Sequence, residues 1–231
     1  MHALTVTVRG EDEPDERRLG PMPDDLSDAF ARIRVEYGRD GLEPADLPVD
    51  PLDGIREWIA HASASGIAEP NIVHLATVDP DGRPSARALL VKDVDTGVVF
   101  FTNYDSRKGR ALAEEPRAGG SILWQPLHRQ IRVEGLVERV STAESDAYFM
   151  ARPEAARRSA EASPQSRVIP NREWLEQRAD DATGDERPAS WGGYRLIPDV
   201  VEFWQGRQGR LHDRVLFRKE GDGWVTERLA P

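Results

Sequence analysis

The sequence predicts a mainly β fold of the α+β kind, a β-barrel core with helices packed outside it. Three observations predict it. First, the hydrophobic period changes after residue 70, from helical spacing to the short β-branched and aromatic runs NIVHLATV, SARALLVK and GVVFFTN. Second, the turn sequences DPDGRP and DVDTG separate these runs, so consecutive strands pair as antiparallel hairpins. Third, the chain shows no internal repeat and no alternating βαβ rhythm, and a long series of strands with short turns closes into a barrel or sandwich.

The elements follow in order. Residues 1–24 are rich in Asp, Glu, Arg and Pro and read as a mobile leader, leaving 25–231 as a single domain. In LSDAFARIRVEYGRDGL, Leu26, Phe30 and Ile33 recur at helical spacing before Gly38 and Gly41. A second helix is expected in VDPLDGIREWIAHASASG. There Asp50 can cap, Pro51 suits the first helical position, and Leu52, Ile55 and Ile59 share one face. After the first strands, SRKGRALAEEP reads as a short helix capped by Ser106, and SILWQ and RQIRVEGLVERV as strands. Ser141 and Glu144 stand in capping-box spacing at the head of STAESDAYFMARP. Residues 153–190 are polar, with a helix expected around NREWLEQRADD. YRLIP, VVEFWQG, DRVLFRK and WVTERL return to strands, EGDG forming a hairpin turn.

Composition removes several classes of function. The chain has 231 residues and a formal net charge of −10, which disfavours a nucleic-acid partner. It has no cysteine, so disulfides and thiolate chemistry are excluded. Its five histidines, His2, His61, His74, His128 and His212, show no metal-ligand spacing, and no metal is expected. No apolar run is long enough to cross a membrane and no signal-peptide pattern opens the chain, so a cytoplasmic location is expected. Phosphate-loop, dinucleotide-binding, serine-elbow and zinc-hydrolase motifs are absent.

Three clusters carry candidate chemistry. Thr102 to Lys108 sits where a strand meets a helix start. Free N–H groups there attract anions, and Arg107 and Lys108 strengthen the attraction. An ordinary capped helix with a solvated basic turn would look the same. In the second cluster, Arg87 and Lys92 differ by an odd number of positions, so on one strand they point to opposite faces. In the third, an aromatic strand, EFWQG, runs into a cation-dense turn. Arg210, His212 and Arg214 alternate there and would line one face of an extended segment. Three cations on one face need an anion nearby.

Several motifs in register carry a family resemblance. ATVDPDGRPSARALLVK, VVFFTNYDSRKGRALAEEPRA, RQIRVEG, WGGYRLIPDVVEFWQGR, RLHDR and ERLAP, with RIRVEY and DLPVDPL nearer the N-terminus, resemble the pyridoxamine/pyridoxine 5′-phosphate oxidase family. The resemblance runs from about residue 27 to the end. It implies an FMN-binding split β-barrel and a homodimer with FMN at the subunit interface. It also implies an oxidase that makes pyridoxal 5′-phosphate from phosphorylated B6 vitamers, with oxygen as acceptor. Arg87, Ala88, Leu89, Leu90 and Lys92, then Phe101, Thr102, Ser106, Arg107 and Lys108, would hold the flavin. Gln130, Gln165, Ser166, Trp204 and Arg214 match further flavin contacts. Lys92, Tyr148 and Arg152 would meet the substrate phosphate, Arg210 and His212 would sit over its ring as the catalytic pair, and Arg34 and Tyr37 would close the site. One segment departs from the pattern: Ala156 stands where the family has a serine, and Arg157 and Arg158 follow as candidate substitutes. That departure keeps two further readings open, an FMN oxidase of another aromatic ring of the phenazine-precursor type, and a non-catalytic FMN- or pyridoxal-phosphate-binding protein.

Overall fold

The computed structural model of the chain describes residues 37–38 and 41–231. The expected leader, the helix expected after Leu26, and Arg34 lie outside the described residues. From Tyr37 to Pro231 the chain packs as one compact unit.

Helix α1 (Pro51–Ala64) forms where the punctuation predicts it. The Asp50 carboxylate accepts from Leu52 N at 2.9 Å, and Pro51 occupies the first turn. Its inner face buries Leu52, Ile55, Trp58 and Ala62. Trp58 meets Phe203 edge-on at 5.0 Å, which ties the helix to the sheet.

Nine strands follow: β1 (Ile72–Val78), β2 (Pro84–Leu90), β3 (Asp93–Val94), β4 (Val98–Asn103), β5 (Arg117–Trp124), β6 (Arg129–Arg139), β7 (Trp191–Gln205), β8 (Asp213–Glu220) and β9 (Gly223–Arg228). Every pairing is antiparallel, in the order β2-β1-β5-β6-β7-β4-β3, with β8 on β7 and β9 on β8. Strands β2 and β3 stand at opposite ends of that order, yet only Val91 and Lys92 separate them in sequence. The sheet must therefore curl until its ends meet. Lys92 N donates to Val99 O at 2.8 Å at that junction.

Strand β7 makes the barrel split. Along one edge it pairs with β6. Along the other it pairs first with β4, over Trp191–Leu196, and then with β8, over Val200–Gln205. Pro198 falls between the two partners, where its missing N–H costs no ladder bond. Gly135 faces this point across a register shift, and a Cβ there would press on the Ile197 carbonyl.

The outer helices are α2 (Arg107–Glu114), α3 (Thr142–Ala151), α4 (Glu154–Ala162) and α5 (Arg172–Asp181). Ser106 caps α2 by accepting from Gly109 N, and the Ser141–Glu144 capping box opens α3, both as expected. Four details differ from the sequence reading. YRLIP and VVEFWQG are one continuous strand, because Pro198 lies where no second partner needs its N–H. Strand β5 begins at Arg117, its first half having been obscured by Gly119 and Gly120. Helix α4 was not anticipated, since its apolar positions are all alanines. Strand β2 ends at Leu90, so the alternation argument does not reach Lys92.

Gly109 gives a test with an inverted sign. Glycine to alanine inside a helix ordinarily gains about 1 kcal/mol. Here the new Cβ would overlap the Tyr104 carbonyl, whose own residue is pinned by Tyr104 N donating to Ser190 O at 2.6 Å. Gly109→Ala is expected to lower the midpoint of urea unfolding; an unchanged or raised midpoint would show that the turn can yield.

Candidate active site

A cavity of about 610 Å³ opens between the end of β2, strand β4, the start of β7 and helices α3 and α4. Ligand sites span about 300–1,000 Å³, so it suits a small organic molecule. Eight of the residues expected at the site line it: Leu89, Leu90, Lys92, Phe101, Thr102, Tyr148, Arg152 and Gln165. One wall is aromatic. Phe101 stacks on Tyr148 at 4.0 Å and on Trp191 at 5.6 Å, with nearly parallel planes. Over Trp191 lies the Arg152 guanidinium, 4.8 Å from the ring centroid. Its Nη1 is buried and has no hydrogen-bond partner, and burial holds the group's pKa below the usual arginine value. A half-buried cation in this state has its charge available to an anion.

A second cationic pocket adjoins the cavity at Thr102 and Gln165. Lys108 is buried, and Nζ donates to Thr102 Oγ1 at 3.0 Å, Gln165 Oε1 at 2.9 Å and Ser106 Oγ at 3.3 Å. All three partners are neutral. Burial, aided by nearby Arg87, pushes the Lys108 pKa down to about 8. Arg87 donates to Leu75 O and Thr77 Oγ1 on β1 and to Ser85 Oγ on its own strand. Arg107 instead pairs with Asp79, Nε donating at 2.8 Å, while Asp79 Oδ1 stays buried without a partner. Among the described residues, Arg87, Arg107 and Lys108 have Asp79 beside them and Asp81 near Arg107, so the balance is cationic.

The remaining expected residues gather elsewhere. Gln130, Trp204 and Arg214 are direct cross-strand neighbours on β6, β7 and β8. His212 packs 4.7 Å from Trp204, and Tyr37 sets its edge on His212, Trp204 and His128. Arg210 lies 5.6 Å over the Tyr37 ring. None of these residues lines the cavity. Trp204 stands thirteen positions beyond Trp191 on the same strand, about 43 Å of contour at ordinary strand rise. The expected site is therefore divided between two ends of β7.

The single cationic face expected of Arg210, His212 and Arg214 does not exist. Residues Gln208–Arg210 form a 3-10 turn in which Gly209 and Arg210 are left-handed, φ 65° and 64°, and the strand begins only at Asp213. Arg214 turns to the buried Glu202, with Nε donating to Oε1 at 2.7 Å, and so already has its anion. A left-handed arginine is strained, and such strain gathers at functional sites. His212 Nδ1 accepts from Arg207 N at 3.0 Å, which leaves the neutral ring's proton on Nε2. Burial first, then Arg210, lowers its pKa, favouring that neutral form.

Other positions resolve as follows. Ala88 is an exposed strand residue opposite His74 and does not line the cavity. Ser166 is exposed and left-handed at φ 71°, directly after Gln165. Ala156 does line the cavity. Arg157 and Arg158 do not replace a hydroxyl there: Arg157 donates to the Gly184 and Arg152 carbonyls, and Arg158 to those of Ala179 and Asp180. Asn103, within the Thr102 to Lys108 cluster, lines the cavity; the sequence reading missed Trp191, Ser159 and Ser163 there, and Asp79 beside the cationic pocket. Asp79 sits in a turn motif and the tryptophan before a Gly-Gly pair, so each had a local explanation that masked the site.

A curled antiparallel sheet interrupted at β7 defines the class of FMN-binding split barrels. PhzG from Burkholderia lata, solved in complex with tetrahydrophenazine-1-carboxylic acid, superposes with a TM-score of 0.79 at 34% identity, over 84% of this chain and 99% of that one. An FMN-binding protein related to pyridoxamine 5′-phosphate oxidase, from Nostoc punctiforme, shares the fold at a TM-score of 0.66 and 21% identity, over 79% of this chain and 98% of that one. Residues 59–184 match the pyridoxamine 5′-phosphate oxidase family, and residues 191–231 match the pyridoxine 5′-phosphate oxidase C-terminal dimerisation region. Pyridoxine/pyridoxamine 5′-phosphate oxidases of Ralstonia pickettii and Burkholderia lata are 50% and 49% identical, over 88% and 87% of this chain and 99% of each relative. The chain belongs to the pyridoxine/pyridoxamine 5′-phosphate oxidase family.

The Lys108 environment predicts a pH effect on the ligand-free protein. Its folded pKa of about 8 lies below the ordinary 10.5, so between those values the folded state binds fewer protons than the unfolded one. Stability therefore rises with pH across that window. Urea unfolding of the wild type and Lys108→Met, compared from pH 7.5 to 10, should show this rise only in the wild type. Parallel curves would mean that Lys108 is not desolvated.

Proposed function

We propose that the chain oxidises pyridoxamine 5′-phosphate and pyridoxine 5′-phosphate to pyridoxal 5′-phosphate, with FMN as cofactor. For the amine, oxygen and water are consumed, and ammonia and hydrogen peroxide are released; for the alcohol, oxygen alone is consumed and peroxide released. One observation carries the reading: two cations without a countercharge among the described residues, the buried Lys108 and the half-buried Arg152, flank one aromatic-walled cavity. Two phosphate-bearing molecules, a cofactor and a substrate, match two such sites.

The donor set fits FMN. Lys108, Arg87 and Arg107, with the Thr102 and Ser106 hydroxyls, would hold its phosphate, and Leu89, Leu90 and Gln165 would border the rest. When bound, FMN takes two electrons from the substrate and passes them to oxygen. The chain's own part is positioning and desolvation. Arg152, Lys92 and Tyr148 bind the substrate phosphate. A charge-assisted hydrogen bond of this kind contributes about 1.5–3 kcal/mol. Arg210 and His212 orient the pyridine ring, the histidine as a neutral Nε2–H donor.

The reading requires a homodimer. Arg210, His212, Trp204 and Arg214 lie at the far end of β7 from the cavity, so a second copy must bring them to it. The match of residues 191–231 to a dimerisation region supports this. A phenazine-type substrate is the second reading, favoured by Ala156 on the cavity wall and by the likeness to PhzG. Identity weighs for the B6 reading: the curated oxidase of Burkholderia lata is 49% identical, and PhzG of that species 34%.

Purified protein with FMN should convert pyridoxamine 5′-phosphate to pyridoxal 5′-phosphate in air with equimolar peroxide; FMN binding without product would sink the B6 assignment. Subunit mixing tests the shared site. Arg152→Ala and Arg210→Ala should each be nearly inactive, yet after co-refolding should recover about a quarter of wild-type turnover, because half of the dimers hold one intact site. No recovery from a mixed dimer would place the whole site within one chain.

A further inference from the structure

We infer that Trp191 is a positioning residue that sets selectivity for phosphorylated substrates: its indole face holds the Arg152 guanidinium in place of a carboxylate. This inference rests on the oxidase reading above.

Several arginines elsewhere in this fold are held by acids, while Arg139 and Arg178 also lie over rings. Arg214 is paired with Glu202, Arg187 with Asp146, and Arg195 with both Asp95 and Glu144. At the cavity the partner of Arg152 is a ring. The ring itself is tightly fixed. Trp191 is 6% exposed, stacked on Phe101 at 5.6 Å and met edge-on by Phe149 at 5.3 Å. Its backbone N donates to Pro188 O at 2.9 Å, and its carbonyl accepts from Arg187 Nη1 at 2.5 Å. The arginine is fixed at its other end, where Arg152 N donates to Phe149 O at 3.1 Å and Arg152 O accepts from Arg157 Nη1 at 3.0 Å.

The choice of a ring has a chemical consequence. A carboxylate beside Arg152 would cancel its charge, repel an incoming phosphate dianion and have to be displaced. A ring face attracts the guanidinium through its quadrupole and carries no net charge, so the full positive charge stays available. A ring also takes none of the guanidinium's N–H groups as a carboxylate would, and Nη1 is buried without a partner. The aromatic wall thus orients the cation that reads the phosphate.

The test uses the FMN-loaded enzyme. For wild type, Trp191→Leu and Trp191→Phe, kcat and KM are measured with pyridoxamine 5′-phosphate and with unphosphorylated pyridoxamine, and inorganic phosphate is titrated as an inhibitor. Trp191→Leu should lower the ratio of kcat/KM values, phosphorylated over unphosphorylated, by about tenfold, mainly through KM, and weaken phosphate inhibition by a similar factor. Trp191→Phe, which keeps a smaller ring, should lose about threefold in the same ratio. Both losses should vanish in an Arg152→Ala background, since the effect acts through that side chain. Equal loss on both substrates, or an undiminished effect without Arg152, would overturn the inference and leave Trp191 a packing residue. Should Trp191→Leu fail to fold, Trp191→Phe alone decides by the same criteria. If the wild type oxidises neither vitamer, the oxidase reading fails; calorimetric titration of inorganic phosphate into wild type and Trp191→Phe then still tests the contact, and equal affinities would overturn it.

Discussion

Strand β7 is the constraint on which the other parts depend. It is fifteen residues long, paired with β6 on one edge and shared between β4 and β8 on the other. Its first half completes the barrel and places Trp191 against Phe101 and Tyr148. Its second half leaves the barrel with β8 and β9 and carries Trp204 toward His212. Pro198 and Gly135 make the change of partner possible, one by lacking an N–H and the other by lacking a Cβ. A shorter strand would close a barrel but could not present aromatic groups at two separate ends.

Charge is the second organising force. The chain carries an excess of acids, and most of its described arginines that approach the interior are matched to them, as Arg195 is to Asp95 and Arg214 to Glu202. Against that background, Lys108 among neutral oxygens and Arg152 over a ring are costly arrangements. Arg152 lines the cavity, and Lys108 adjoins it through Thr102 and Gln165. Desolvation lowers the proton affinity of each, and a bound anion reverses that effect. On the proposed function, phosphate groups would relieve that cost at both positions and unphosphorylated analogues would not.

Local rigidity supports this arrangement. The turn from Asn103 to Gly109 is fixed by backbone bonding to Ser190, by the Ser106 cap and by the absence of a Cβ at Gly109. It delivers Thr102, Ser106 and Lys108 to one point. The strained turn at Gly209–Arg210 does the equivalent for Arg210 and His212. In both places the backbone fixes where the side chains stand.

Much of this was legible in the amino-acid order. Caps at Asp50, Ser106 and Ser141 are local hydrogen-bond chemistry, and each formed as read. Hairpin spacing carried the antiparallel class, and motifs in register carried the family. Tertiary structure decided what depends on distant partners. The continuity of β7 through Pro198 depends on which edges β4 and β8 occupy, and no local signal encodes that. Helix α4 is built on alanines, whose apolar face has meaning only once the cavity exists. Arg214 was read with Arg210 because alternation assumes an extended chain, but a left-handed turn intervenes and Glu202 claims it. Trp191 was passed over because the strand was read only from Tyr194, and only the folded chain brings a guanidinium onto its face.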